Sequence, residues 1–227
     1  MSDRRRGTRL CSILVRMAIT LSLAVRPLSA QLRVEPKEGA FWIAAAAGLA
    51  AAASLDPAGY RFSLQHRTRL LDRWAEAGDE LGTGRNLIAA MAASWGAARL
   101  AGHPKAARHV LHVAAAYTLG NVAESALKPL VGRHRPDGAS DAWRSRPFGA
   151  EGVWHSFPSA HAMHAFTVAA AVADESGAVW LARAGYGAAA IVAWSRVYRL
   201  EHWPSDVVGS AIIAIATART TVAWLHR

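Results

Sequence analysis

Residues 195–206 read Ser195-Arg196-Val197-Tyr198-Arg199-Leu200-Glu201-His202-Trp203-Pro204-Ser205-Asp206, a polar stretch between two apolar runs at 179–194 and 207–225. Pro204 marks a helix start. His202 and Asp206, four apart around that start, come within hydrogen-bond reach of each other. A carboxylate on one ring nitrogen fixes the tautomer and leaves the other nitrogen as a base or nucleophile. Arg196 adds a planar fork suited to phosphate oxygens. A salt-bridged helix entrance would carry the same residue types, so the stretch taken alone leaves both readings open.

Working outward, four further apolar stretches precede these two, at 41–55, 87–100, 109–127 and 161–173. All six are long enough for helices and none alternates as a strand would. Several fall short of the roughly twenty residues of a comfortable membrane span. Asn121, Glu124, Arg183 and Arg219 interrupt some of them. Between the apolar stretches lie an arginine- and acid-containing connector at 56–85 and a Gly-, Pro- and Arg-rich segment at 128–160.

Two more polar clusters flank the apolar stretches. Lys128-Pro129-Leu130-Val131-Gly132-Arg133-His134-Arg135-Pro136 follows the third, and Ser156-Phe157-Pro158-Ser159-Ala160-His161 opens the fourth. Lys128 and Arg135 bring two permanent cations together. The alternative is a helix C-terminus whose Lys128 pairs with Glu124 one turn back. Pro158 and Ser159 announce a helix start whose outward N–H groups attract anions, with His161 in the first turn as a proton donor. A simple cap beside a surface histidine fits as well. If successive helices run antiparallel, all three clusters meet at one end of an all-α bundle, by connectivity alone. Together they offer cations for the equatorial oxygens of a phosphoryl group, an in-line nucleophile and an acid for the leaving oxygen.

These residues resemble the three motifs of the type 2 phosphatidic acid phosphatase superfamily, which also holds class A acid phosphatases and vanadium-dependent haloperoxidases. Lys128 to Pro136 matches lysine, six residues, Arg-Pro; Pro158-Ser159-Ala160-His161 resembles Pro-Ser-Gly-His; Ser195 to Asp206 matches Ser-Arg, five residues, histidine, three residues, aspartate. The resemblance implies a six-helix bundle and a metal-independent phosphatase that works through a phosphohistidine, with no cofactor. It makes His202 the nucleophile, Asp206 its orienter and His161 the general acid. Lys128, Arg135, Arg196, Ser159 and the N–H of Ala160 form the phosphate clamp. Ala160 stands where the family has glycine, so a backbone with positive φ there would be strained. His134, His155 and His164 match no motif and stay outside the site.

Composition frames the substrate. The net charge of +10 suits anionic headgroups or phosphate substrates, and the scattered arginines argue against nucleic acid. Apolar residues make up 52% and the mean hydropathy is +0.12, which alone decides nothing about solubility. The lone Cys11 excludes an intrachain disulfide and a multi-cysteine metal site, and no other convincing metal-ligand spacing is present. Residues 1–30, with Arg4, Arg5, Arg6 and Arg9 before an apolar run, read as a signal peptide or leader. Residues 31–227 read as one helical phosphatase domain.

The expected substrate is a lipid phosphate such as phosphatidate or a polyprenyl diphosphate. The expected place is a bacterial-type cell envelope, at the inner membrane with the site facing the periplasm. The alternatives are a soluble periplasmic acid phosphatase, a vanadate-dependent haloperoxidase and a non-catalytic membrane protein. Trp42, Trp180, Trp194, Trp203 and Trp224 stand near segment ends, as interfacial anchors or as core aromatics.

Overall fold

A computed structural model describes residues 36–136 and 141–227; the leader read at 1–30 lies outside them. The chain divides into two units, 1–44 and 45–227, and the second holds all three motifs. Eight α-helices follow one another among the described residues: α1 (Pro36–Ser54), α2 (Asp56–Gln65), α3 (Arg69–Gly82), α4 (Gly84–Leu100), α5 (Pro104–Val131), α6 (Ala160–Ser176), α7 (Val179–Tyr198) and α8 (Pro204–Leu225). The fold is all-α, and each of the six apolar stretches lies within or largely overlaps one of α1 and α4–α8. The connector at 56–85 adds two helices of its own. Pro57 sits in the first turn of α2, and the Thr68 side chain caps α3 by accepting from the Leu71 N–H at 3.2 Å.

Helix α6 packs against α5, α7 and α8. Small side chains allow the close approach: Ala170 and Ala171 of α6 are fully buried with Ala116 of α5 and Ala218 of α8. Ala165 and Ala169 meet Ala189 and Val192 of α7 on the other side. Such a core is close-packed, so an added methylene there costs about 1–3 kcal/mol.

The helix ends that build the site are closed by specific devices. At the end of α5, Gly132 adopts φ +55°, and a Cβ there would stand 2.0 Å from the Arg146 carbonyl oxygen. Only glycine fits both constraints. The end of α7 closes with Leu200 at φ +59°, its N–H bonded to Val197 O at 3.0 Å and the Glu201 N–H to Arg196 O at 3.1 Å. That is a Schellman closure with leucine in glycine's usual place. It turns the chain sharply between Arg196 and His202.

Candidate active site

The three motifs meet in space. The Arg135 N–H bonds to Val153 O at 2.8 Å, the Ser156 N–H to Arg133 O at 3.0 Å, and the Trp203 indole N–H to His134 O at 2.8 Å. The Ser159 N–H reaches the Ser210 hydroxyl at 2.7 Å, fastening the start of α6 to α8. The convergence expected from connectivity is thus built from hydrogen bonds that each engage loop or helix-end backbone.

His202 is buried at the α7–α8 junction. Its Nδ1 lies 2.6 Å from the Ser156 carbonyl oxygen, which can only accept, so Nδ1 carries the proton and Nε2 keeps its lone pair. Asp206 Oδ2 stands 3.8 Å from Nδ1, beyond hydrogen-bond length. Asp206 instead accepts from the Ser156 hydroxyl at 2.5 Å and the Trp203 N–H at 2.9 Å. It therefore grips the chain on both sides of the imidazole. Burial holds His202 below the ordinary histidine pKa; Asp206 opposes this, and the charges of Arg196 and Arg135 add to it.

Asp206 belongs to a buried ionic network centred on Arg133. The guanidinium donates to Asp206 Oδ1 at 2.6 Å, Asp56 Oδ2 at 2.7 Å, the Ser205 hydroxyl at 2.7 Å and Ala142 O at 2.9 Å. Asp56 also accepts from the Ser205 N–H at 2.8 Å. Both carboxylates are inaccessible to solvent.

On the other side of His202, Arg196 pairs with Asp79 and Glu201, and Arg135 lies 3.5 Å from the same Glu201 carboxylate. His161 Nε2 is 3.3 Å from Asp79 Oδ1. Burial and the Arg196 charge lower the His161 pKa to about 4, with Asp79 pulling the other way. Three buried donors in this cluster have no hydrogen-bond partner: Arg135 Nε, Arg196 Nε and Ser159 Oγ. Unsatisfied buried donors are costly and rare in folded chains. Here they belong to three residues drawn from the three motifs.

Ala160 is the first residue of α6, and it is not among the positive-φ residues, so alanine is unstrained there. Lys128 ion-pairs with Glu124 one turn back in α5, the alternative its sequence context allowed. Among the described contacts it does not touch Arg135 or Arg196. His134, His155 and His164 serve local structure: His134 Nδ1 meets Arg135 O at 2.7 Å, His155 Nε2 meets Gly149 O at 3.1 Å, and His164 Nε2 meets Asn121 Oδ1 at 2.7 Å.

Sequence reasoning missed Arg133, Asp56, Asp79 and the carbonyl of Ser156. The Asp56-Pro57 pair was a readable helix start. Nothing in the sequence linked it to Arg133, 77 positions on.

The family model described as the PAP2 superfamily matches residues 109–227, more than half of the chain. The fold is similar to that of Aquifex aeolicus LpxE, with 21% identity and a TM-score of 0.57 over 72% of this chain and 92% of that one. It is also similar to the first transmembrane PAP2 type phosphatidylglycerolphosphate phosphatase from Bacillus subtilis. There the identity is 21% and the TM-score 0.61, over 82% of this chain and 92% of that one. No curated protein matches the sequence.

Proposed function

The chain belongs to the PAP2 superfamily and is a phosphoric-ester hydrolase, and we propose that it dephosphorylates lipid phosphates at a membrane through a phosphohistidine on His202. The observation that carries this reading is the set of unpartnered buried donors on Arg135, Arg196 and Ser159, beside an imidazole whose Nε2 is free.

In the first step His202 Nε2 attacks phosphorus while the bond to the leaving oxygen breaks. Arg135, Arg196, Ser159 and the Ala160 N–H at the start of α6 hold the equatorial oxygens. Lys128, one turn before the α5 terminus, contributes longer-range positive charge. The phosphoryl group competes with Glu201 and Asp79 for the two guanidiniums. His161 gives its proton to the leaving alkoxide. In isolation its low pKa disfavours that role, but a phosphate dianion against Arg196 offsets the positive field and raises it. Water then attacks the phosphohistidine, its proton returns to His161, and phosphate departs. Asp206 positions His202 through Ser156 and Trp203 and takes no proton itself.

Several features support a lipid substrate and membrane association. Helix α8 is long and apolar enough to cross a membrane. Helix α4 buries none of its residues although it carries Leu87, Ile88, Met91 and Trp95. Trp180 and Trp224 are exposed near the ends of α7 and α8 remote from the motifs, as interfacial anchors are, whereas Trp203 is core. An apolar cavity of about 490 Å³ between Leu49, Phe157, Trp143 and Val131 reaches Arg133 and Ser205 and suits an acyl or prenyl chain. The related solved structures are of a PAP2 phosphatidylglycerolphosphate phosphatase and of LpxE.

The test is phosphate release by the purified chain, without added metal, from phosphatidate, a polyprenyl diphosphate and a soluble aryl phosphate. Lipid-selective release that vanishes in His202→Ala is expected, with Arg135→Ala and Arg196→Ala each slower by on the order of a hundredfold. Equal turnover of the aryl phosphate would overturn the lipid assignment. We take the motif end to face the periplasm. A cysteine introduced at exposed Arg199 in a Cys11→Ser background should then react with an impermeant maleimide in intact cells.

A further inference from the structure

At the end of the bundle remote from the motifs, four chemistry-bearing side chains gather that the phosphatase reading does not use. His109 and His112 lie near the start of α5, Glu175 near the end of α6 and His226 just past the end of α8. Glu175 Oε1 is 2.7 Å from His112 Nδ1 and 2.9 Å from His226 Nε2. The ligand atoms of these three residues all lie within 4.8 Å of one another. His109 Nε2 approaches the other carboxylate oxygen, Oε2, at 3.5 Å. The Glu175 side chain is only 2% exposed, yet Oε2 is buried and accepts no hydrogen bond. A buried carboxylate with one oxygen shared by two imidazoles and the other accepting no hydrogen bond is a poor purely structural arrangement.

We propose that His112, His226, Glu175 and His109 form a structural binding site for a divalent transition-metal ion, with Zn²⁺ the best fit. Imidazole nitrogen with one carboxylate oxygen is a zinc donor set. Tetrahedral zinc with bonds of about 2.0–2.2 Å holds its ligand atoms roughly 3.3 Å apart. For His112, His226 and Glu175 the spacings of 2.7 and 2.9 Å to Oε1, within the 4.8 Å that spans all three, bracket that value. His109, 3.5 Å from Oε2, is the outer fourth donor and turns inward to complete the set. Neutral histidines donate lone pairs to the ion, and Glu175 supplies one carboxylate oxygen as the remaining ligand. Beside the cluster, His109 and Glu175 also line a cavity of about 260 Å³ with Met91, Val113, Val168 and Val172, an apolar wall that limits water around the ligands. The ion would tie together the ends of α5, α6 and α8, the helices whose opposite ends carry the catalytic motifs. Its role is to hold the bundle, not to take part in phosphoryl transfer.

The test uses the full chain freed of any affinity tag. Its metal content is measured by mass spectrometry after dialysis, followed by Zn²⁺ titration and by Co²⁺ titration read as the visible absorption of a tetrahedral cobalt centre. About one equivalent per chain is expected, with the tetrahedral cobalt spectrum and a Zn²⁺-dependent rise in melting temperature. His112→Gln and His226→Gln should each weaken binding at least tenfold and abolish the melting shift. His226 is half exposed at a helix end, so its variant folds even if others do not. His202→Ala and His161→Gln should bind as tightly as the unaltered chain, which separates this site from the catalytic histidines. Absence of saturable binding would overturn the proposal. So would equal binding in the His112 and His226 variants, or loss of binding only when the catalytic histidines are replaced.

Discussion

Replacing Arg133 with methionine tests whether the buried ionic network, rather than packing alone, supports the loops that carry the three motifs. The guanidinium is the cation between Asp56 and Asp206, at 2.7 and 2.6 Å, and both carboxylates are shut off from water. Methionine keeps much of the volume but leaves two buried negative charges uncompensated. Removing one partner of a buried ion pair costs about 3–5 kcal/mol, and here the upper end applies because two carboxylates lose the same cation. Each kcal/mol moves the melting temperature of a chain of this size by about 2–4 °C, so a fall of roughly 10–20 °C is expected. Tryptophan fluorescence on heating in detergent reads it, since Trp143 and Trp203 both flank the guanidinium. Adding Asp56→Asn to Arg133→Met should recover part of the loss, because one of the two stranded charges disappears. An Arg133→Met chain that melts within a degree of the unaltered protein would refute the reasoning. So would a double variant less stable than the single one.

Two further predictions concern His161 and His202. His161 titrates near 4 in the folded chain but near 6.5 when unfolded, and His202 is likewise lowered, so between those values the unfolded chain binds more protons. Stability should be full above about pH 6.5 and fall as the pH drops toward 4, and melting curves of His161→Gln should show a shallower acid slope; an unchanged slope would remove His161 as a cause. Ser156→Ala deletes the hydroxyl donor to Asp206 while keeping the carbonyl that holds His202. A loss of about 1–3 kcal/mol in stability is expected, with a lower kcat at unchanged KM in the phosphate-release assay.

Much of the site was legible in the sequence because its chemistry is carried by short motifs at helix ends. Alternating helix direction brings the ends of α5 and α7 and the starts of α6 and α8 to one place, whatever the packing details. What escaped was decided by loop backbone. The partner of His202 Nδ1 is a carbonyl oxygen, and no side-chain spacing could point to Ser156 rather than Asp206. The pairing of Asp56 with Arg133 depends on how α2 returns to the loop after α5, which the connector's composition did not encode. Helix α3, Arg69-Leu70-Leu71-Asp72-Arg73-Trp74-Ala75-Glu76, was hidden by its charges. It nevertheless supplies Asp79, which sits beside both His161 and Arg196. The histidine cluster around Glu175 escaped because its members come from the ends of three helices and lie up to 117 positions apart.

The central claim is that His202 takes the phosphoryl group, and trapping the phosphoenzyme tests it most directly. The chain is mixed with phosphatidate labelled at its phosphate, quenched within one turnover, and examined for an acid-labile, base-stable bond and its position. The account predicts label on His202, none in His202→Ala, and label that accumulates in His161→Gln given an activated phosphate ester whose leaving group needs no proton. Label on another residue, or phosphate released at the unaltered rate by His202→Ala, would contradict it.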